Sequence, residues 1–292
     1  MKPHVSIAAR PLPVLLPTAA ALTRRAAVER RDGVVRLALR PEHGLVLLAL
    51  FIVGCGIAGA QAGADDASVL ATLWKWTPLL ARGFVFNLAI SFIAMSVGTV
   101  AGMLLGFAQI SLLPPVRRGA WLLTNFFRNA PWLVLLFYCM FLLPFQIRIF
   151  GLSIPLPDWV KATLGLALPV MANVSEIMRG AMQSIPTAQW ESAASLAFTR
   201  RQTLWMIVLP QCLKRMLPPW MNLYAILTMA TVLASIVGVD EMMTLTRQAL
   251  SAENRPGLLL SFYSYVLLWF FVYCYPIARW TVRLEARYAV NA

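Results

Sequence analysis

Three observations of this sequence predict an all-α membrane protein, with six transmembrane helices and one polar elbow between the fourth and fifth. Hydrophobic residues make up 60% of the 292, and the mean hydropathy is +0.71, a balance that a soluble fold does not carry. Apolar runs long enough to cross about 30 Å as helix recur along the chain. Lysine and arginine collect in alternate connections. With the N-terminus inside, 19 of the 25 fall on the inner side. That asymmetry places both termini of a multi-pass membrane protein in the cytoplasm.

Residues 1–43 read as a basic cytoplasmic tail. Pro3, Pro11, Pro13 and Pro17 precede the run Arg24, Arg25, Arg30, Arg31, Arg36 and Arg40, which suits an interfacial helix over 19–39. The first long apolar run starts only near Gly44, so the pattern is not that of a cleaved signal peptide. A first span over 44–61 and an outer segment to 79, with Trp74 and Trp76 suited to the bilayer interface, form an additional piece ahead of a core over 80–292.

The second span, 84–109, carries Gly98, Gly102 and Gly106 at four-residue intervals, a flat face for helix packing within the chain. Arg128, Asn129 and Pro131 open the third, 130–147, with a charge, a cap and a proline suited to a first turn. In the fourth, 160–179, Glu176 and Arg179 share a helical face. Two readings of Glu176 stand with equal weight: an interfacial ion pair, or an intramembrane carboxylate with a role in passage. The fifth, 217–238, is expected to open at Pro218 and Pro219. The sixth, 257–279, ends at Arg279, Arg283 and Arg287 inside.

The elbow, 185–217, interrupts the apolar runs. Residues 188–196 are helix formers, with Glu191 near the positive end of the dipole and Ala193, Ala194 and Ala197 leaving room for close contact. Thr199 followed three residues on by Gln202 is a capping box, so a second helix is expected from Arg200 until Pro210 ends it. Two short helices of this kind have the shape of a plug for another protein's groove.

Catalysis is not expected of this chain. It has no phosphate-cradling G-x-x-x-x-G-K-[ST] run. His4 and His43 are isolated, and Cys55, Cys139, Cys212 and Cys274 are scattered without metal spacing, as small packing residues are. No cofactor or metal is therefore assigned here. The net charge of +13 sits in short clusters at span ends with no nucleic-acid motif beside them, so no nucleic-acid partner is expected.

Glu191, Ala193, Ile207, Leu209 and Pro210 resemble, in residue type and spacing, the E-A-A, three residues, G, nine residues, I-x-L-P loop of the membrane subunits of binding-protein-dependent ABC importers. Ser192 stands in place of the second-position alanine and Ala197 in place of the glycine. If position 197 needs positive φ, alanine costs about 1 kcal/mol there. Arg128 and Pro131 in FFRNAPWL, and Glu176, Ile177, Arg179 and Gly180, are similar to stretches of the polar amino acid subfamily. That subfamily's lysine and aspartate in the fifth span are replaced by Met229 and Ala230.

The resemblance implies that 80–292 is a permease domain working with a dimer of ATP-binding subunits, which would hold ATP and magnesium. It also implies a second permease subunit (self or sister), an external solute-binding protein and the lipid bilayer. Glu191, Ser192, Ala193, Ala194, Leu196, Ala197 and Phe198 are then the ATPase-coupling residues. Asn87, Asn173, Glu176, Asn222 and Thr231, polar side chains in the core spans, are the candidates for contact with a small polar solute. An amino acid is the expected solute. An opine or a quaternary amine is the alternative, and a stand-alone secondary transporter the less favoured one.

Overall fold

The computed structural model describes residues 66–149 and 152–288. The basic tail, the expected first span, His4, His43 and Cys55 lie outside the described residues.

Helix α1, Asp66–Gln109, runs 44 residues and passes through Pro78. The second span was expected to start at residue 84, yet helix extends back through Trp74 and Trp76, because no glycine or proline interrupts 66–77. A turn leads into α2, Pro114–Asn129, whose two leading prolines occupy the first turn, where no N–H is needed. Helix α3, Trp132–Leu142, has only 11 residues, about 16 Å of rise, against the 18 expected for the third span. Pro144 is the reason. The residue before a proline avoids the helical region, and Leu143 is extended at φ −80° and ψ 135°.

Two strands follow, β1 Gln146–Ile149 and β2 Leu152–Pro155. They pair antiparallel with Gln146 opposite Pro155 and Arg148 opposite Ser153. This hairpin departs from the all-helical expectation. Each strand is too short to announce itself by alternation.

Helix α4, Asp158–Gln183, continues through Pro169, and α5, Thr187–Ser195, is the first arm of the elbow. The second arm begins at α6, Arg200–Gln202, but does not stop at Pro210. A π-turn, Thr203–Val208, precedes α7, Leu209–Ala230, and a 3₁₀ turn, Thr231–Ser235, follows it. The wide turn places Pro210 in the first turn of α7, where its missing N–H does least harm. Pro218 and Pro219 lie inside α7 rather than opening a span. Helix α8, Met242–Glu253, and α9, Leu259–Tyr288, complete the chain. Among the described residues, three helical stretches are long and apolar enough to cross a membrane: Val69–Gln109, Arg200–Ser235 and Pro256–Tyr288.

The central core joins α1, α4 and the Arg200–Ser235 rod through Ile90, Leu166, Val170, Val174, Leu223 and Leu227. The glycine stripe is the groove that receives α4. A Cβ at Gly98 would lie 2.5 Å from Val170 Cγ1, one at Gly102 2.6 Å from the Met171 carbonyl oxygen, and one at Gly106 2.7 Å from Met178 Sδ. The expectation of packing within the chain holds. A second cluster, with Leu80, Phe84, Met242, Phe262 and Phe270, joins α1, α8 and α9. Cys139, Cys212 and Cys274 are buried and unbridged, as packing residues are.

Candidate functional site

The elbow is built from two local stop-and-start signals. Helix α5 ends in a Schellman turn. The Ala197 N–H donates to the Ala194 carbonyl at 2.9 Å and the Phe198 N–H to the Ala193 carbonyl at 3.1 Å, which requires the left-handed conformation found at Ala197, φ 59°. The next helix opens on the expected capping box. The Gln202 N–H donates to Thr199 Oγ1 at 3.4 Å, and the Thr199 N–H donates to Gln202 Oε1 at 2.9 Å. Glu191 sits mid-helix, one turn further in than the positive end of the dipole.

Ala193 is buried at the root of α5, whereas Glu191, Ser192, Ala194, Leu196 and Ala197 are exposed and Phe198 is half-buried. Leu196 is an apolar side chain that is 70% exposed. The arm is tied down beneath. Arg215 Nη1 donates to Ser184 Oγ at 2.8 Å, Gln211 Nε2 donates to Gln189 Oε1 at 3.3 Å, and Trp190 packs with Met182, Ile185, Val208 and Cys212. Among the described residues the outer face of α5 is thus exposed, while its inner face packs against the end of α4 and against α7.

Beside the elbow, two sequence motifs meet. Glu176 accepts from Arg179 Nε at 3.0 Å and also from Arg179 Nη2, and Arg128 Nη1 lies 3.4 Å from its Oε1. Arg179 Nη1 further donates to Gln183 Oε1 at 3.0 Å. Glu176 is thus ion-paired to Arg179, with Arg128 as a second partner that sequence spacing did not announce. One layer deeper, Gln109 Nε2 donates to Thr124 Oγ1 at 2.9 Å and Ser175 Oγ at 2.6 Å. Its Oε1 is buried with no hydrogen-bond partner among the described residues. A cavity of about 490 Å³ runs from Gln109, Arg179 and Gln183 to Trp190 and Arg200 under the elbow.

A different cluster joins Asn87 and Thr231. Asn87 Nδ2 donates to Thr231 Oγ1 at 2.9 Å and Glu241 Oε2 at 2.8 Å, while Asn87 Oδ1 accepts from the Met242 N–H at 3.0 Å. Glu241 also caps α8 by accepting from the Thr244 N–H at 2.9 Å. Burial pushes the Glu241 carboxyl up, opposed by the bonds from Met243, Asn87 and Thr244. Glu241 belongs to none of the sequence motifs above, although its place just before a helical run is a cap signal. Asn173 donates to the Pro169 carbonyl of its own helix at 2.8 Å, and Asn222 is exposed. The five expected pathway residues therefore do not converge on one point. Near Asn87, a cavity of about 700 Å³ is lined by Arg82, Phe86, Asp158, Trp159, Asp240 and Gln248, among others.

Residues 98–288 match the family described as binding-protein-dependent transport system inner membrane component. The chain is 32% identical over 212 residues to the probable amino-acid ABC transporter permease protein YckA of Bacillus subtilis, covering 73% of this chain and 90% of that one. It is 28% identical over 226 residues to the probable glutamine ABC transporter permease protein GlnP of the same organism, covering 77% and 97%. The solved crystal structure of an amino acid ABC transporter with histidines shares the fold, with a TM-score of 0.65 and 23% identity over 77% of this chain and 99% of that one. The match over 98–288, two thirds of the chain, and the likeness to YckA along most of its length mean that this protein belongs to the binding-protein-dependent transport system inner membrane components.

Proposed function

We propose that this chain forms the passage of an ABC importer for an amino acid, with six spans, both ends in the cytoplasm and the elbow facing an ATP-binding partner. The observation that carries the reading is α5: an exposed outer face bearing Glu191, Ser192, Ala194 and Leu196 on a helix whose inner face is fixed to α4 and α7. Such an arm transmits displacement, because a rigid helix pressed at its free face moves the rods to which it is bonded. Docked in a partner's groove, Glu191 accepts a charge-assisted bond and Leu196 and Phe198 fill apolar space. ATP and magnesium belong to that partner, and a second permease copy or sister completes the passage.

The names of YckA and GlnP support an amino acid as solute. An external receptor delivers it to the wide cavity near Asn87, where Arg82 offers a cation to a carboxylate and Asp158 and Asp240 offer anions to an ammonium group. Asn173, Glu176 and Asn222 mark the route beyond, and Asn87 and Thr231 hold the wall of that cavity.

The test is Glu191→Lys in proteoliposomes carrying the permease, its ATPase and its receptor. Labelled glutamine, then other amino acids, serve as solute. The variant is expected to insert normally and lose most ATP-driven uptake. Undiminished uptake overturns the coupling role. Uptake without the ATPase overturns the importer reading.

A further inference from the structure

A second basic cavity, about 290 Å³, lies between α1, α2 and the end of α4. It is lined by Gln109, Arg117, Arg118, Trp121, Arg179 and Gln183, so every charged side chain around it is an arginine. Arg117 and Arg118 have no carboxylate partner among the described residues. Only Arg179 has a counter-charge, and Glu176 already divides itself between Arg179 and Arg128. Uncompensated guanidinium groups around a concavity attract anions, and their planar forks match phosphate oxygens.

Gln109 is an independent second sign. It is 5% exposed and its Oε1 has no partner among the described residues. Turned over, the amide presents its oxygen to the Thr124 and Ser175 hydroxyls, both able to donate, and Nε2 takes the unpartnered place as a donor. In either orientation one buried polar atom is left without a partner among the described residues, and Gln109 is itself one of the residues lining this cavity.

Helix α2 sets the level of the site. Leu122, Leu123 and Phe126 are exposed apolar side chains, while Arg117, Arg118, Asn125, Arg128 and Asn129 fall on the opposite arc with Trp121 among them. A helix of this pattern lies in the interfacial plane, with its arginines at headgroup depth.

We infer that this cavity binds a phosphate anion, supplied by the headgroup of an anionic phospholipid. The same anion competes with Glu176 for Arg179, whose other bond is to Gln183 at the last residue of α4, next to the elbow. Occupancy therefore loosens the Arg179–Glu176 pair and shifts how firmly the elbow's first arm is anchored. The lipid source rests on the proposed inward orientation of this end; the anion site does not.

Native mass spectrometry of the full chain in complex with its ATPase, released from nanodiscs, tests it. Phosphatidylglycerol is expected to be retained over phosphatidylcholine. R117Q/R118Q is expected to lower that retention on the order of tenfold, since each basic residue near a headgroup adds to the attraction. R117K/R118K, which keeps both charges, is expected to retain most of it and guards against a folding artefact. Equal retention of the two lipids, or equal retention by wild type and R117Q/R118Q, overturns the site. Displacement of the retained lipid by millimolar inorganic phosphate supports recognition through the headgroup phosphate, whereas phosphate bound by the complex with no preference for phosphatidylglycerol over phosphatidylcholine overturns the lipid as occupant. None of these outcomes depends on the uptake lost in Glu191→Lys, so the two readings fail separately.

Discussion

Arg128 and Glu176 meet at 3.4 Å across 48 positions of sequence, one from the end of α2 and the other from α4. With Arg179 on the same carboxylate, they form a three-membered charge cluster beside the elbow. Removing the carboxylate leaves two guanidinium groups facing each other. Glu176→Gln is expected to destabilise the protein by about 1 kcal/mol, a value kept small because the groups are a quarter or more exposed. In a cycle with Arg128→Ala the two losses should be less than additive, and the difference should shrink in high salt. Thermal unfolding in detergent at two salt concentrations measures it.

Ala197 adopts φ 59° where glycine has no steric penalty. Ala197→Gly is expected to stabilise the elbow by about 1 kcal/mol, and Thr199→Ala, which removes the cap on the next helix, to cost about 1 kcal/mol. Hydrogen exchange across 187–203 is the readout. Slower exchange in Thr199→Ala contradicts the capping geometry.

Asn87 carries three buried bonds that hold α1 to the turn before α8. Asn87→Ala is expected to cost about 2 kcal/mol through the partners left unsatisfied. Asn87→Asp sets a second carboxylate against Glu241 and should be worse at pH 7. Its deficit should narrow as the pH falls, because one shared proton removes the repulsion. A melting-temperature difference between Asn87→Asp and wild type that does not change with pH argues against this placement.

Glu253 joins the end of α8 to α1 through Lys75 Nζ and Trp76 Nε1, each at 2.7 Å. The Lys75 ammonium, and after it the indole N–H, hold its carboxyl below the usual carboxylate range. The folded value being the lower one, this tie contributes stability above the ordinary value of 4.5 and loses it as the pH falls through the folded value. Acid titration followed by Trp76 fluorescence should show a transition there that Glu253→Gln abolishes.

Gly102 faces the Met171 carbonyl oxygen, with only 2.6 Å available to a Cβ. The obstacle is backbone, which does not rotate away, so Gly102→Ala is expected to cost about 1–3 kcal/mol, visible as a lower melting temperature. Gly119, with open space around it, is the matching control, and alanine there should be neutral or better.

Local signals in the sequence were sufficient for the features that depend on neighbours along the chain. The Thr199 capping box, the need for positive φ at position 197, the Glu176–Arg179 pair and the glycine groove all involve residues within one or two helical turns, where spacing and backbone chemistry decide the outcome. Only the tertiary structure decided what depends on distant segments. Arg128 reached Glu176, Gln109 met Thr124 and Ser175, and Glu241 closed on Asn87, because packing α4 against α1 and α2, and α8 against α1, brought polar groups from distant parts of the chain together, the last two sets in buried positions where an unpaired polar group is costly. The same global packing overrode one proline signal: Pro218 and Pro219, expected to open the fifth span, lie inside α7, and helix also continues through Pro78 and Pro169.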